Sequence, residues 1–165
     1  MRHARIIACF MTLIVIATLA ANPHGSRAQD ATATPEIINR TFENLGLVTD
    51  LSLAPGMALQ LERYTWLPGV VTAMHTHPAE IDIMYIQSGE IAWSVEGGEA
   101  QITRAARNGQ PATTETLAPG ADATMHTGDT VVFDYTQGLQ HQGRVVGEAP
   151  AVMLVAHIHD PSKQS

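Results

Sequence analysis

The chain has 165 residues, of which 45% are hydrophobic and 15% charged, with 13 Gly and 9 Pro. This is the length and composition of one globular domain with extensions, and it excludes a disordered acidic chain, a collagen-like repeat and a coiled coil. Nine Lys and Arg against 16 Asp and Glu give a net charge of −7. With no Lys/Arg cluster, nucleic acid is not expected as a partner.

Residues 1–28 read as a secretory signal peptide. A basic start with Arg2 and Arg5 leads into an uncharged apolar run over 6–21, then Asn22-Pro23-His24-Gly25 and a small-x-small cleavage site at Ser26-Arg27-Ala28. The run is shorter than the ~20 residues of a spanning helix and is followed at once by breakers, so cleavage after Ala28 and no stable membrane span are expected. The expected mature chain begins at Gln29 and has lost Arg2, Arg5 and Arg27 but no acid. It would be a strongly acidic secreted or periplasmic protein. It also lacks Cys9, so it can form no disulfide and offer a metal no thiolate, and any metal site must use His and carboxylate.

Residues 29–53 are expected to be a leader and N-terminal extension, beginning with the small, polar and flexible stretch 29–35. The stretch 36–47 fits two patterns: a helix with Ile37, Ile38, Phe42 and Leu45 on one face and Gly46 as its stop, or a loop followed by a strand. From 54 to 160 the chain reads as one β domain, followed by a short tail over 161–165. Alternating or β-branched runs at 57–67, 70–75, 81–87, 91–95, 100–104, 113–117, 121–126, 130–135, 140–146 and 151–158 are separated by turn pairs. Asn108-Gly109 is the strongest hairpin candidate among these pairs. Such spacing without a long helix predicts an all-β sandwich or barrel.

The most informative chemical feature is the placement of the histidines. His75 and His77 form a His-x-His, and on a strand residues two apart point to the same side, so both imidazoles could share one ion. Glu80 and Asp82 follow with shared parity. An acid flanked by Ile81 and Ile83 must face either water or a partner that makes its burial tolerable, and a cation is such a partner. A further histidine, His141, stands in a late run behind Gly138. His157 and His159 form a second His-x-His near the chain end, where exposure is the default, and His126 is expected at the surface.

Together these residues resemble the motifs of the cupin superfamily. The first family motif is Gly, five residues, His-x-His, three or four residues, Glu, six residues, Gly. Here Gly69 is followed by five residues, His75-Thr76-His77, four residues, Asp82, six residues and Gly89. The second motif is Gly, five residues, Pro-x-Gly, two residues, His, three residues, Asn. Here Gly128 opens it and Gly138-x-x-His141 closes it, with two extra residues between, Asp134 in place of Pro and Val145 in place of Asn.

The resemblance implies a single antiparallel β-barrel of jelly-roll type. It also implies one divalent metal, Mn, Fe, Ni, Cu or Zn, held by His75, His77 and His141 with Asp82 as the fourth partner. Aspartate is one methylene shorter than the family's glutamate, which leaves three arrangements open. Asp82 ligates after local adjustment, Glu80 takes its place, or Asp82 orients a histidine from behind a water ligand. By the same resemblance the protein would act on a small oxygenated organic molecule in dioxygenase-like chemistry, the alternative being a non-catalytic metal- or small-ligand-binding module. A homodimer through the apolar outer face of Ile81, Ile83 and Tyr85 is a further expectation.

Overall fold

The computed structural model describes residues 39–163. The signal-peptide reading of residues 1–28, the leader over 29–35 and the start of the 36–47 stretch lie outside the described residues. Ten strands and one 3₁₀ turn follow in order: β1 (Arg40–Val48), β2 (Ala58–Trp66), β3 (Glu80–Ser88), β4 (Glu90–Glu96), β5 (Ala100–Arg104), β6 (Thr113–Leu117), β7 (Asp122–His126), β8 (Thr130–Asp134), the turn Tyr135–Gln137, β9 (Gln140–Val145) and β10 (Ala151–His159). Among the described residues no helix is long and apolar enough to cross a membrane.

All pairings are antiparallel. A seven-stranded sheet has the order β1-β2-β10-β3-β8-β5-β6, and a three-stranded sheet the order β7-β4-β9. The all-β fold expected from the run spacing is therefore present, with the antiparallel, jelly-roll-type pairing that the resemblance implied. Of the two patterns open for 36–47, the strand is the one found: β1 pairs with β2 from Arg40↔Trp66 to Val48↔Leu59. An isolated twelve-residue helix would be marginal, whereas the free edge of β2 satisfies a row of backbone groups. The sheet thus takes in residues 40–48, within the stretch read from sequence as leader and extension.

The expected run 70–75 is not a continuous strand. Pro68 and a left-handed Gly69 at one end, and Pro78 with Ala79 at φ 56° at the other, break its pleat. Its β-pairing with β9 consists of isolated bridges, Val71↔Arg144 and His75↔His141, supplemented by side-chain hydrogen bonds. Asn108 and Gly109 form a tight turn, both at positive φ (51° and 79°), closed by reciprocal backbone hydrogen bonds between Arg107 and Gln110.

The core lies between the two sheets. Trp66 from the large sheet tilts against Trp93 from the small one at 5.8 Å, and Trp93 meets Phe133 edge-on at 5.3 Å. Gly143 on β9 permits this packing, because a Cβ there would stand 2.9 Å from Cζ3 of Trp66 and also strike the Trp93 ring. Aromatic groups of this size dominate core energetics, with a Trp truncation costing about 3–5 kcal/mol. Their packing fixes the separation of the sheets and so the walls of the cavity described next.

Candidate metal centre

A cavity of about 860 Å³ opens between the sheets, and His75, His77 and His141 lie in its wall. Each of the three offers a ring nitrogen within 4.8 Å of the others. The backbone builds this cluster. His75 and His141 exchange both backbone hydrogen bonds, N–H to O at 3.0 and 2.8 Å, so the irregular segment carrying the His-x-His is pinned to β9 opposite the third histidine. Thr76 Oγ1 donates to the Leu139 carbonyl at 2.8 Å, and Gln142 Nε2 to that of Thr72 at 2.8 Å, on either side of that bridge. The imidazoles end up close, with ring centroids 4.9 Å apart for His75–His77, 4.3 Å for His75–His141 and 5.4 Å for His77–His141.

The Nδ1 atom of each ring already faces an oxygen. His75 Nδ1 lies 2.8 Å from the Ala73 carbonyl, which can only accept, so this nitrogen carries the proton. His77 Nδ1 lies 3.4 Å from Glu80 Oε1, and His141 Nδ1 lies 3.0 Å from the Tyr135 hydroxyl. With Nδ1 hydrogen-bonded, Nε2 is the free nitrogen of His75 and His141, and a metal-binding imidazole is held in this way by its other nitrogen; His77 Nδ1 only lies near the Glu80 carboxylate. Burial pushes the His141 imidazole down to about 3, with the neighbouring His75 and His77 adding to the effect. Burial likewise lowers His77, against the pull of Glu80. Ligands must be neutral imidazoles, so the donor set fits a borderline divalent ion such as those of the Mn-to-Zn series.

Asp82 is not in this group. It belongs to a second cluster on the inner face of the large sheet, made by Glu62 on β2, Glu80 and Asp82 on β3 and His157 on β10, all buried. The register places His157 opposite Gln60 on one side and Asp82 on the other. His157 Nδ1 is 2.8 Å from Asp82 Oδ1 and 3.0 Å from Glu80 Oε1, and its Nε2 is 3.2 Å from Glu62 Oε2. Burial alone would lower this imidazole, but its hydrogen bonds to Asp82 and Glu80 and their charges raise it to about 10. Both ring nitrogens face carboxylate oxygens, an arrangement that favours the protonated imidazole when no ion is bound, although Glu80, Asp82 and His157 also offer ligand atoms within 4.8 Å of one another. Burial pushes Asp82 up, opposed by the His157 hydrogen bond and reinforced by Glu80. Burial pushes Glu80 up as well, but the hydrogen bond from His157 and the charges of His77 and His157 hold it down.

The two clusters of histidines thus differ in kind. Three imidazoles with free nitrogens can hold an ion, while His157 is itself the cation of an internal salt cluster. Tyr64 Oη and Gln60 Nε2 complete the latter by donating to Glu62 at 2.6 and 2.8 Å.

His157 and His159, expected to be exposed, are 8% and 3% exposed. The reason is topological: β10 is last in the chain but runs between β2 and β3 in the large sheet. A usable signal was present, since His157 and His159 continue the parity of Ala151, Met153 and Val155, all buried. His126 stands where expected, half-exposed, with Nδ1 2.9 Å from Glu90 Oε1.

No protein-family model and no curated protein matches the sequence. Solved structures similar to the chain include cupin and double-stranded β-helix proteins. KdgF from Halomonas sp. is 13% identical, with 76% of this chain and 84% of that one covered and a TM-score of 0.41. An uncharacterized conserved protein with a double-stranded β-helix domain from Klebsiella pneumoniae is 16% identical, with 79% and 85% covered and a TM-score of 0.41. The cupin domain of a transcriptional regulator from Enterobacter cloacae is 15% identical, with 74% and 98% covered and a TM-score of 0.37.

Proposed function

We propose that the protein is an exported barrel that holds one divalent metal ion through Nε2 of His75, His77 and His141 and receives a small oxygenated organic molecule in the adjoining cavity. The observation that carries this reading is the convergence of three imidazoles, two of which, His75 and His141, have Nδ1 already hydrogen-bonded to oxygen. Such an ion, with positions left open, supplies Lewis acidity that lowers the pKa of a bound water, enol or catechol. The chain's own residues supply the enclosure. Trp66, Met84, Trp93 and Met153 give apolar walls, while Asp82 and His157 form a polar patch on the large-sheet side.

The test is elemental analysis of the chain starting at Gln29, produced in an exporting host without a metal-binding tag, beside the His75→Ala/His77→Ala double variant. Near one equivalent of Mn, Fe, Ni, Cu or Zn, lost in a double variant that remains folded, is the expected result. Unchanged metal content in the double variant would remove the site assignment. A redox-active ion with oxygen uptake on catechols or enols would make the protein an oxidoreductase, and a bound ion without turnover a binding module.

A further inference from the structure

The acid that shares a motif with the three histidines has no place among them, and its own contacts indicate what it does instead. Asp82 is fully buried and both of its oxygens are engaged, Oδ1 by His157 Nδ1 at 2.8 Å and Oδ2 by the Tyr135 hydroxyl, which donates at 3.2 Å. The same hydroxyl oxygen lies 3.0 Å from His141 Nδ1. A hydroxyl whose single proton goes to the carboxylate can only accept from the ring, so the proton of His141 must be on Nδ1. His157 fixes the far end of this line, because it donates to Asp82 and is itself held by Glu80 and Glu62.

We infer that Tyr135 and Asp82 are positioning residues: a hydrogen-bonded line from His141 through Tyr135 to Asp82, anchored by His157, presents Nε2 of His141 to the metal and keeps Asp82 off the ion. The inference rests on the metal-site reading above and deepens it. His75 reaches the same state by a different means, through the Ala73 backbone carbonyl. His141 is the most buried of the three, where an unheld ring would leave a polar atom without a partner. Tyr135 stands where this is possible because its 3₁₀ turn directly follows β8, whose Asp134 pairs with Ile81 and whose Phe133 pairs with Asp82. The carboxylate that could have joined the three imidazoles is thereby committed elsewhere, so an ion held by them would not draw on it and would leave room for an exogenous oxygen ligand.

The experiment is long-range proton–nitrogen NMR of the metal-free protein labelled with ¹⁵N-histidine, on wild type and Tyr135→Phe, with zinc affinity measured in parallel by competition against a chromophoric chelator. Wild type is expected to carry the His141 proton on Nδ1. Tyr135→Phe, which removes one oxygen and keeps the ring, is expected to shift His141 towards the Nε2–H form that a free imidazole prefers and to weaken zinc binding about 10- to 100-fold. Asp82→Ala is expected to change the tautomer in the same direction, and a purely packing role for either residue would not move it. A His141 proton on Nε2 in wild type, or an unchanged tautomer in Tyr135→Phe, would overturn the inference even if zinc binds. Wild type with the Nδ1–H tautomer, responsive to Tyr135→Phe, but no affinity for any divalent ion would uphold the line and sink the metal-site reading instead.

Discussion

Replacing His157 with Leu keeps side-chain volume but removes the only cation from a cluster of three buried carboxylates. In the folded protein those acids approach the ring to 2.8, 3.0 and 3.2 Å. Removing one partner of a buried ion pair costs about 3–5 kcal/mol, because the charge left behind is uncompensated. The stabilisation depends on pH in a defined direction. The His157 imidazole is raised to about 10, above the ~6.5 of an unfolded chain, so its stabilisation is complete below ~6.5 and disappears as pH rises through about 10. Urea unfolding followed by Trp fluorescence, in EDTA so that no ion contributes, should show a loss of about 3–5 kcal/mol at roughly pH 6, where that stabilisation is complete, and a wild-type stability that falls between roughly pH 7 and 9. A loss under ~1 kcal/mol at about pH 6, where an exposed pair would fall, or a wild-type stability that does not fall over that window, would refute the internal salt cluster.

Asp129, fully buried, accepts from the backbone N–H of Ala105 and His126 at 3.0 and 3.1 Å and from Arg104 and Arg107 at 3.0 and 2.8 Å, which ties the segment after β5 to the β7–β8 turn. Asp129→Ala should therefore lose about 3–5 kcal/mol in the same urea assay, and a loss near zero would mean that this segment is held elsewhere. Gly143→Ala should destabilise by about 1–3 kcal/mol, since neither indole can yield without moving the other, and a changed Trp emission maximum should accompany it. On the outer face of the large sheet, Leu61, Ala156, Ile83 and Val132 form one cross-strand row, with Leu61 and Ile83 40% and 47% exposed. If this row is a homodimer surface, Ile83→Glu should convert a dimer to a monomer in sedimentation velocity, and a wild type that sediments as a monomer would end that idea.

Most of the architecture was legible because the signals were local. Turn pairs such as Asn108-Gly109 and the two-residue alternation of β10 are properties of short windows, and nine of the ten strands coincide with the runs read from 57 onwards. What escaped was decided by distant chain. The breakers Pro68, Gly69 and Pro78 flank residues 70–75, but nothing nearby announces that they bridge to β9, or that the final strand lies between β2 and β3. That topology turns His157 from an exposed terminal residue into a buried cation. The three histidines were legible as a group because a spacing motif encodes the convergence of distant strands.

Asp82 is instructive, because the resemblance of its sequence context would make it a ligand while its length does not favour that role. An acid one methylene shorter than glutamate stays close to its own strand, and there it meets partners that a longer side chain would pass: His157 directly across on β10 and the Tyr135 hydroxyl beyond β8. Both are supplied by this sequence, His157 at a position of buried parity and Tyr135 at the start of a 3₁₀ turn whose two extra residues interrupt the second motif. The shortened acid, the inserted turn and the buried terminal histidine are then one arrangement rather than three separate departures. Each would be costly alone: a buried carboxylate without donors, a buried tyrosine hydroxyl without an acceptor, a buried imidazolium without counter-charge. Together they satisfy one another, and the line they form ends on His141.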